Sequence, residues 1–195
     1  GTVINQKVDD MRRQFEMNAD RISDIALVTD SGCDLPQAKL DEYQVYMVPL
    51  QVAFGENNFL DKLTITPKQF YEMLQTEDKF PQSSQPTIGH FKELYEELLN
   101  HYDSIISLHL SNALSGTYGV AKKVADEMAP DRITVIDTKT LSASLGLIVE
   151  RVGEVLKKGG DHQKAVNEAN SIIPGAEILV NVKDLSNMVR GGRVS

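Results

Sequence analysis

The sequence predicts an α/β fold, a mainly parallel sheet flanked by helices. Three observations point to it. Continuously apolar runs such as Ile25-Ala26-Leu27-Val28-Thr29 have the pattern of strands buried on both faces. Longer segments with helical spacing alternate with them, most clearly Ile88, Phe91, Leu94, Tyr95, Leu98, Leu99 and Tyr102 on one apolar face. Turn-rich loops such as Asp30-Ser31-Gly32 separate the two kinds of segment. Strands that alternate with helices pair in parallel through right-handed crossovers.

Taken in order, residues 1–24 are charged and helix-favouring, with Val8, Met11 and Phe15 as a narrow stripe. They read as a helical extension or linker. The domain opens with the strand at residues 25–29, followed by a short helix from Leu35-Pro36 to about Tyr43 and a strand at residues 45–52. Residues 54–63 contain Gly55 and Asn57-Asn58 and read as a loop or hairpin. Thr66-Pro67 places an N-cap and a proline at the first helical position, opening a helix to about Gln75. Then come a helix at 87–102, a strand at 104–110, a helix at about 116–128 and a strand at 133–136. Helices at about 142–157 and 161–172 follow, then a strand at 178–182 and a helical stretch at 184–189 before Arg190-Gly191-Gly192-Arg193. Residues 25–174 are therefore expected to form one α/β domain. Residues 175–195 read as the truncated start of a second, and the natural protein is expected to continue beyond them.

A chain of 195 residues has room for one large domain, or for one and part of another. Its 41% hydrophobic and 25% charged residues are ordinary globular values. Lys and Arg total 20 against 28 Asp and Glu, a net charge of −8, which argues against a nucleic-acid partner and a polybasic membrane surface. The single cysteine, Cys33, excludes an intramolecular disulfide and a Cys-built zinc cage. No apolar run approaches the ~18–20 residues of a membrane span, and the first residues lack a signal-peptide core. A cytoplasmic protein with no integral membrane segment is expected.

In a parallel sheet, ligands gather at the carboxyl ends of the strands. The loops expected there, residues 30–34, 111–117 and 137–140, together with 81–87, are rich in hydroxyls. None has the glycine spacing of a dinucleotide or P-loop site. Hydroxyls at helix N-termini suit a small anion such as a carboxylate, since free backbone N–H groups and the helix dipole favour negative charge. Taken singly, Ser83, Ser84, Ser115 and Thr117 each read better as plain N-caps than as anion ligands. A nucleophilic Ser115 would need a base and an orienting acid, for which His109 and Asp137 are available. The context Ala113-Leu114-Ser115-Gly116-Thr117 lacks the first glycine of a nucleophile elbow, and His109 lies in an apolar strand where a hydrogen-bonded core role fits. His90, His101 and His162 have no second ligand at helical spacing, so no metal is expected. Asp30 and Asp34 fit Asx turns better than a cation site. Cys33, with no cationic neighbour in the sequence, is expected to be unreactive.

Two of these loops carry a resemblance. Ser83-Ser84-Gln85-Pro86 looks like the T-S-Q-P motif, and Leu114-Ser115-Gly116-Thr117-Tyr118 like the L-S-G-T-Y motif, of the DegV family of fatty-acid-binding proteins. Thr29-Asp30-Ser31-Gly32-Cys33-Asp34-Leu35-Pro36 is close to the family's T-D-S-x-x-D-L-P. Val48-Pro49-Leu50, Asp61, Asp137-Thr138 with Gly146, and Arg190-Gly191-Gly192-Arg193-Val194 resemble further marks in the same order. The resemblance implies the family's α/β (EDD) fold and a non-catalytic carrier without cofactor. It would bind one long-chain fatty acid such as palmitate in a tunnel between two domains. The carboxylate would be presented to a separate fatty-acid kinase, dihydroxyacetone-kinase-like, for acyl-phosphate formation and phospholipid synthesis. By the same resemblance, Ser83, Ser84 and Ser115 would hold the carboxylate, and Gly116 would let the backbone approach it. Residues 8–14 also resemble the segment that precedes the DegV-like part of kinase fusion proteins. Two alternatives stand beside the carrier: an acyl hydrolase or transferase using Ser115, and a docking module that has lost its lipid.

Overall fold

The structure is a computed structural model that describes residues 20–76, 80–179, 188, 189 and 192. Alternation along the first strand shows how the domain is layered. In β1 (Ile25–Asp30), Leu27 faces one apolar layer and Ala26 and Val28 the other. β6 (Ser104–His109) repeats this, with Ile106 and Leu108 on the first side and Ile105 on the second. Two-sided burial explains why these strands read as unbroken apolar runs.

With β2 (Val45–Val48) and β7 (Ile133–Asp137), these strands form a four-stranded, all-parallel sheet in the order β2-β1-β6-β7. One face is covered by α1 (Gln37–Glu42), α5 (Ser142–Lys157) and α6 (His162–Ile172), through Leu40, Leu145, Ile148, Val149, Val152 and Ala165. The other is covered by α3 (Ile88–His101) and α4 (Thr117–Met128), through Phe91, Leu94, Tyr95, Leu98, Ala121 and Val124. A 3-10 turn, Ile173–Gly175, follows α6. Chain order runs outward from β1 to β2 and then returns to its other side as β6. The switch point therefore lies between the carboxyl ends of β1 and β6, where ligands collect in open α/β sheets.

The strand expected at residues 45–52 is two strands. Pro49 has no N–H to continue a ladder. At this corner Leu50 N donates to Ser31 Oγ at 3.0 Å and Ser31 N to Val48 O at 3.0 Å. The chain then forms a separate antiparallel sheet, β4-β3-β5, from β3 (Gln51–Phe54), β4 (Asn57–Leu60) and β5 (Gln82–Ser84). The hairpin between β3 and β4 turns at Gly55, whose φ of 62° suits glycine. α2 (Pro67–Thr76) packs on this sheet, Phe70 and Met73 meeting Val52, Phe54 and Ile65. Thr66 caps it as expected: Thr66 Oγ1 accepts Gln69 N, and Gln69 Oε1 accepts Thr66 N.

The segment read as a loop around Ser83 contains β5. All three of its residues are exposed, so no alternation marked it, and it forms by pairing with β3. Of the strand expected at 178–182, Ile178 and Leu179 are not in a strand, and the rest lies outside the described residues. So do the extension at residues 1–19 and most of the stretch at 184–189, of which Met188 and Val189 are helical.

Candidate functional site

Asp30 is the last residue of β1 and is fully buried. Its Oδ1 accepts Gly32 N at 2.9 Å, the expected Asx turn. Its Oδ2 accepts Leu110 N, the first residue beyond β6, at 2.9 Å. Asp137, the last residue of β7, acts from the other side, with Oδ1 accepting Asn112 N at 3.1 Å and Lys139 N at 3.0 Å. Ser111 N donates to Thr140 O at 2.8 Å. Thus the loop from β6 to α4, which carries Ser115, is fastened to both neighbouring strands.

Within that loop, Ser115 is half-buried and its Oγ lies 2.8 Å from Thr117 Oγ1. The same oxygen accepts Thr117 N at 3.3 Å, so Ser115 serves the first turn of α4, as the capping reading allowed. Gly116, the N-cap residue, contributes no side-chain cap. The remaining first-turn N–H groups of α4 and the nearby hydroxyls make a cluster of neutral donors.

Ser83 and Ser84 are exposed on β5. Register sets Ser83 opposite Val52 and Ser84 opposite Gln51. Their side chains therefore leave opposite faces of the small sheet. Neither residue caps α3, because that role belongs to Thr87, whose Oγ1 accepts His90 N at 3.2 Å.

Gln85 joins the two motifs. A methyl group at Gly116 would come within 2.2 Å of Gln85 Oε1. The space above Gly116 thus belongs to the residue just beyond β5, and glycine is what lets the two loops close on each other. The sequence placed Gln85 inside a motif but gave no sign of this contact.

His109 is spent elsewhere. It is fully buried, with Nδ1 2.9 Å from Asp30 Oδ2 and Nε2 2.7 Å from Ser107 Oγ. Tyr95 Oη donates to Ser107 Oγ at 2.8 Å, and burial pushes that phenol well above its usual pKa, keeping it a donor. The core role expected for His109 is what the structure shows, and Ser115 has neither His109 nor Asp137 as a partner.

Cys33 is buried, and burial pushes its thiol up to about 11. The expected absence of a cation near it needs correction, since Lys62 Nζ donates to Cys33 O at 2.8 Å. Lys62 lies 29 positions away, a separation no local reading bridges. For Asp34, burial alone would raise the carboxyl pKa, but hydrogen bonds from Lys62 and Ser142 outweigh it and hold the group below its ordinary value.

Among the described residues no cluster of His, Cys, Asp or Glu could hold a metal ion, and no helix is long and apolar enough to cross a membrane. A cleft of about 320 Å³ opens between α2 and the small sheet, lined by residues that include Phe59, Ile65, Gln69, Glu72 and Met73. It touches none of Ser83, Ser84, Ser115 or Gly116.

The family model described as "Uncharacterised protein, DegV family" matches residues 24–195. The chain belongs to the DegV family. Protein DegV of Bacillus subtilis is 35% identical over 174 residues, covering 88% of this chain and 61% of that protein. The crystal structure of DegV, a fatty acid binding protein from Bacillus subtilis, superposes with a TM-score of 0.80 at 30% identity, covering 88% of this chain and 61% of its own. A fatty-acid-binding DegV family protein from Thermus thermophilus gives a TM-score of 0.79 at 35% identity, with 87% and 60% covered. The DegV-like fold is thus shared across the four-stranded parallel sheet and the small antiparallel one. The chain spans about 60% of the length of the DegV relatives it matches.

Proposed function

We propose that this chain is the carboxylate-binding part of a fatty-acid carrier. The observation that carries the reading is the closure of Gln85 over Gly116, which sets the Ser83–Ser84 strand beside the Ser115 loop at the switch point of the sheet. Family membership supplies the ligand class, since the Bacillus and Thermus relatives are both described as fatty-acid-binding.

The chemistry is consistent. Hydroxyls and helix N–H groups donate to a carboxylate without cancelling its charge with a fixed cation. Affinity would come from the acyl chain, at about 0.8 kcal/mol per buried CH₂. A carboxylate held this way keeps a lone pair free to attack phosphorus. In a partner kinase of the dihydroxyacetone-kinase-like kind, that attack would form the C–O–P bond as the bond to the nucleotide leaving group breaks. The kinase brings the electrophile, and this chain brings an oriented nucleophile. Residues 175–195 would begin the second domain, which closes the tunnel, and the setting would be cytoplasmic.

The test is denaturing extraction of the purified protein followed by lipid mass spectrometry. Near-stoichiometric long-chain fatty acid, diminished in Ser115→Ala, is expected. The hydrolase alternative would instead give turnover of an acyl ester that disappears in Ser115→Ala. The arrangement disfavours it, because His109 is committed to Asp30 and Ser107.

A further inference from the structure

Lys62 and Ser142 both occupy the left-handed region of backbone space, with φ of 60° and 58°. L-residues are sterically disfavoured there, and glycine is the default. Glycine would relax either position but delete its side chain, and both side chains end on the same carboxylate. Lys62 Nζ lies 2.6 Å from Asp34 Oδ1, and Ser142 Oγ donates to Asp34 Oδ2 at 2.6 Å. The backbone is tied at the same place, Ser142 N donating to Gly32 O at 2.7 Å and Asp34 N to Ser142 O at 3.2 Å. Strain retained at two positions that converge on one group points to a role for that group.

The three residues come from different parts of the fold. Lys62 lies two positions beyond β4, an edge strand of the small sheet that bears Ser83. Asp34 closes the loop after β1, the strand hydrogen-bonded to β6, from which the Ser115 loop departs. Ser142 opens α5, on the main-sheet side. The side chain of Asp34 is 54% exposed, so water and salt screen its pairing and the contribution to global stability is small. What the cluster provides is position.

We propose that Lys62, Asp34 and Ser142 form a clamp that fixes the small sheet against the main sheet, and so sets the spacing between Ser83 and Ser115 for a bound carboxylate. They are positioning residues and need not touch the ligand. The carboxylate part of this proposal rests on the carrier reading above, whereas the spacing part does not.

The test compares wild type, Lys62→Gly and Lys62→Arg. Spin labels on cysteines introduced at the exposed Glu56 and Asn112 report the distance between the two sheets, Cys33 being buried. Melting temperature and palmitate affinity are measured on the same variants. Lys62→Gly should melt close to the wild-type temperature, because relief of the backbone offsets the lost hydrogen bonds to Asp34 and Cys33 O. It should nonetheless broaden the distance distribution and weaken palmitate about tenfold, a change of about 1.4 kcal/mol. Lys62→Arg, which keeps a cation able to donate to Asp34 and to Cys33 O, should restore both. An unchanged distribution in Lys62→Gly would overturn the clamp whatever the lipid result. A broadened distribution with undiminished palmitate affinity would overturn the positioning role. If wild type binds no palmitate while the distribution broadens, the spacing clamp is supported and the carrier reading fails.

Discussion

His109 Nδ1 lies 2.9 Å from Asp30 Oδ2 across the joint between β1 and β6, with both side chains completely excluded from solvent. The pair ends a buried chain that runs Tyr95 Oη to Ser107 Oγ to His109 to Asp30. Asp30 is its anchor, because the carboxylate also accepts Gly32 N and Leu110 N. Removing it leaves two backbone donors and an imidazole nitrogen without acceptors, Leu110 N–H and the imidazole fully buried and Gly32 N–H partly so.

Asp30→Ala should therefore be severely destabilising. Each orphaned donor costs about 1–3 kcal/mol, so a loss of at least about 3 kcal/mol is expected. Urea unfolding monitored by circular dichroism checks this. A loss below about 1 kcal/mol would mean that water replaces the carboxylate and that the site is less dry than the geometry indicates.

Two glycines should respond differently to alanine. At Gly153 in α5 a methyl would meet Tyr43 Cγ at 2.6 Å and Cβ at 2.8 Å, the root of a side chain whose residue is only 5% exposed. Overpacking of this kind costs about 1–3 kcal/mol. At Gly116 the obstacle is the end of the flexible Gln85 side chain, so Gly116→Ala should cost less than about 1 kcal/mol while displacing Gln85 and lowering fatty-acid occupancy. Denaturant midpoints and extracted-lipid ratios for the two variants distinguish the cases.

His162 gives the fold a dependence on pH. Its Nδ1 lies 2.7 Å from Ser104 Oγ and its Nε2 2.7 Å from Thr134 Oγ1, linking α6 to β6 and β7. Burial holds the imidazole below its ordinary value of 6.5, with Asp161 pulling weakly the other way. Below that ordinary value the unfolded chain takes up a proton that the folded one resists. This contribution to stability is complete above about pH 6.5 and is lost as the pH falls below it. His162→Gln should flatten the pH profile of unfolding free energy across that window. A profile that keeps its slope would assign the effect to other groups.

Much of the main sheet was legible because burial on both faces writes a local signal, as in Ile25–Asp30 and the apolar face of α3. Thr66 marked a helix start through chemistry that acts over three residues, whereas Thr87, the cap of α3, read only as the first residue of that helix. β5 was not legible, since Gln82–Ser84 are all exposed and pair only because β3 offers an edge. The Asx turn of Asp30 was readable from two residues, but its meeting with His109 spans 79 positions. Separation in sequence likewise hid Lys62 from Cys33, 29 positions apart, and Gln85 from Gly116. Ser83, Ser84 and Ser115 were found by motif. That the first two point to opposite faces is a consequence of pairing, which a motif does not carry.

The central claim is that neutral donors at the head of α4 and on β5 recognise a carboxylate. Calorimetric titration of delipidated protein with palmitate and with its methyl ester, in wild type and Ser115→Ala, tests it most directly. The two ligands share the acyl chain and differ at the group that Ser115 would hold. Palmitate is expected to bind wild type at least about tenfold more tightly than the ester, a difference of about 1.4 kcal/mol, and Ser115→Ala should narrow that gap. Equal affinity for acid and ester in wild type, or a gap untouched by Ser115→Ala, would contradict the account.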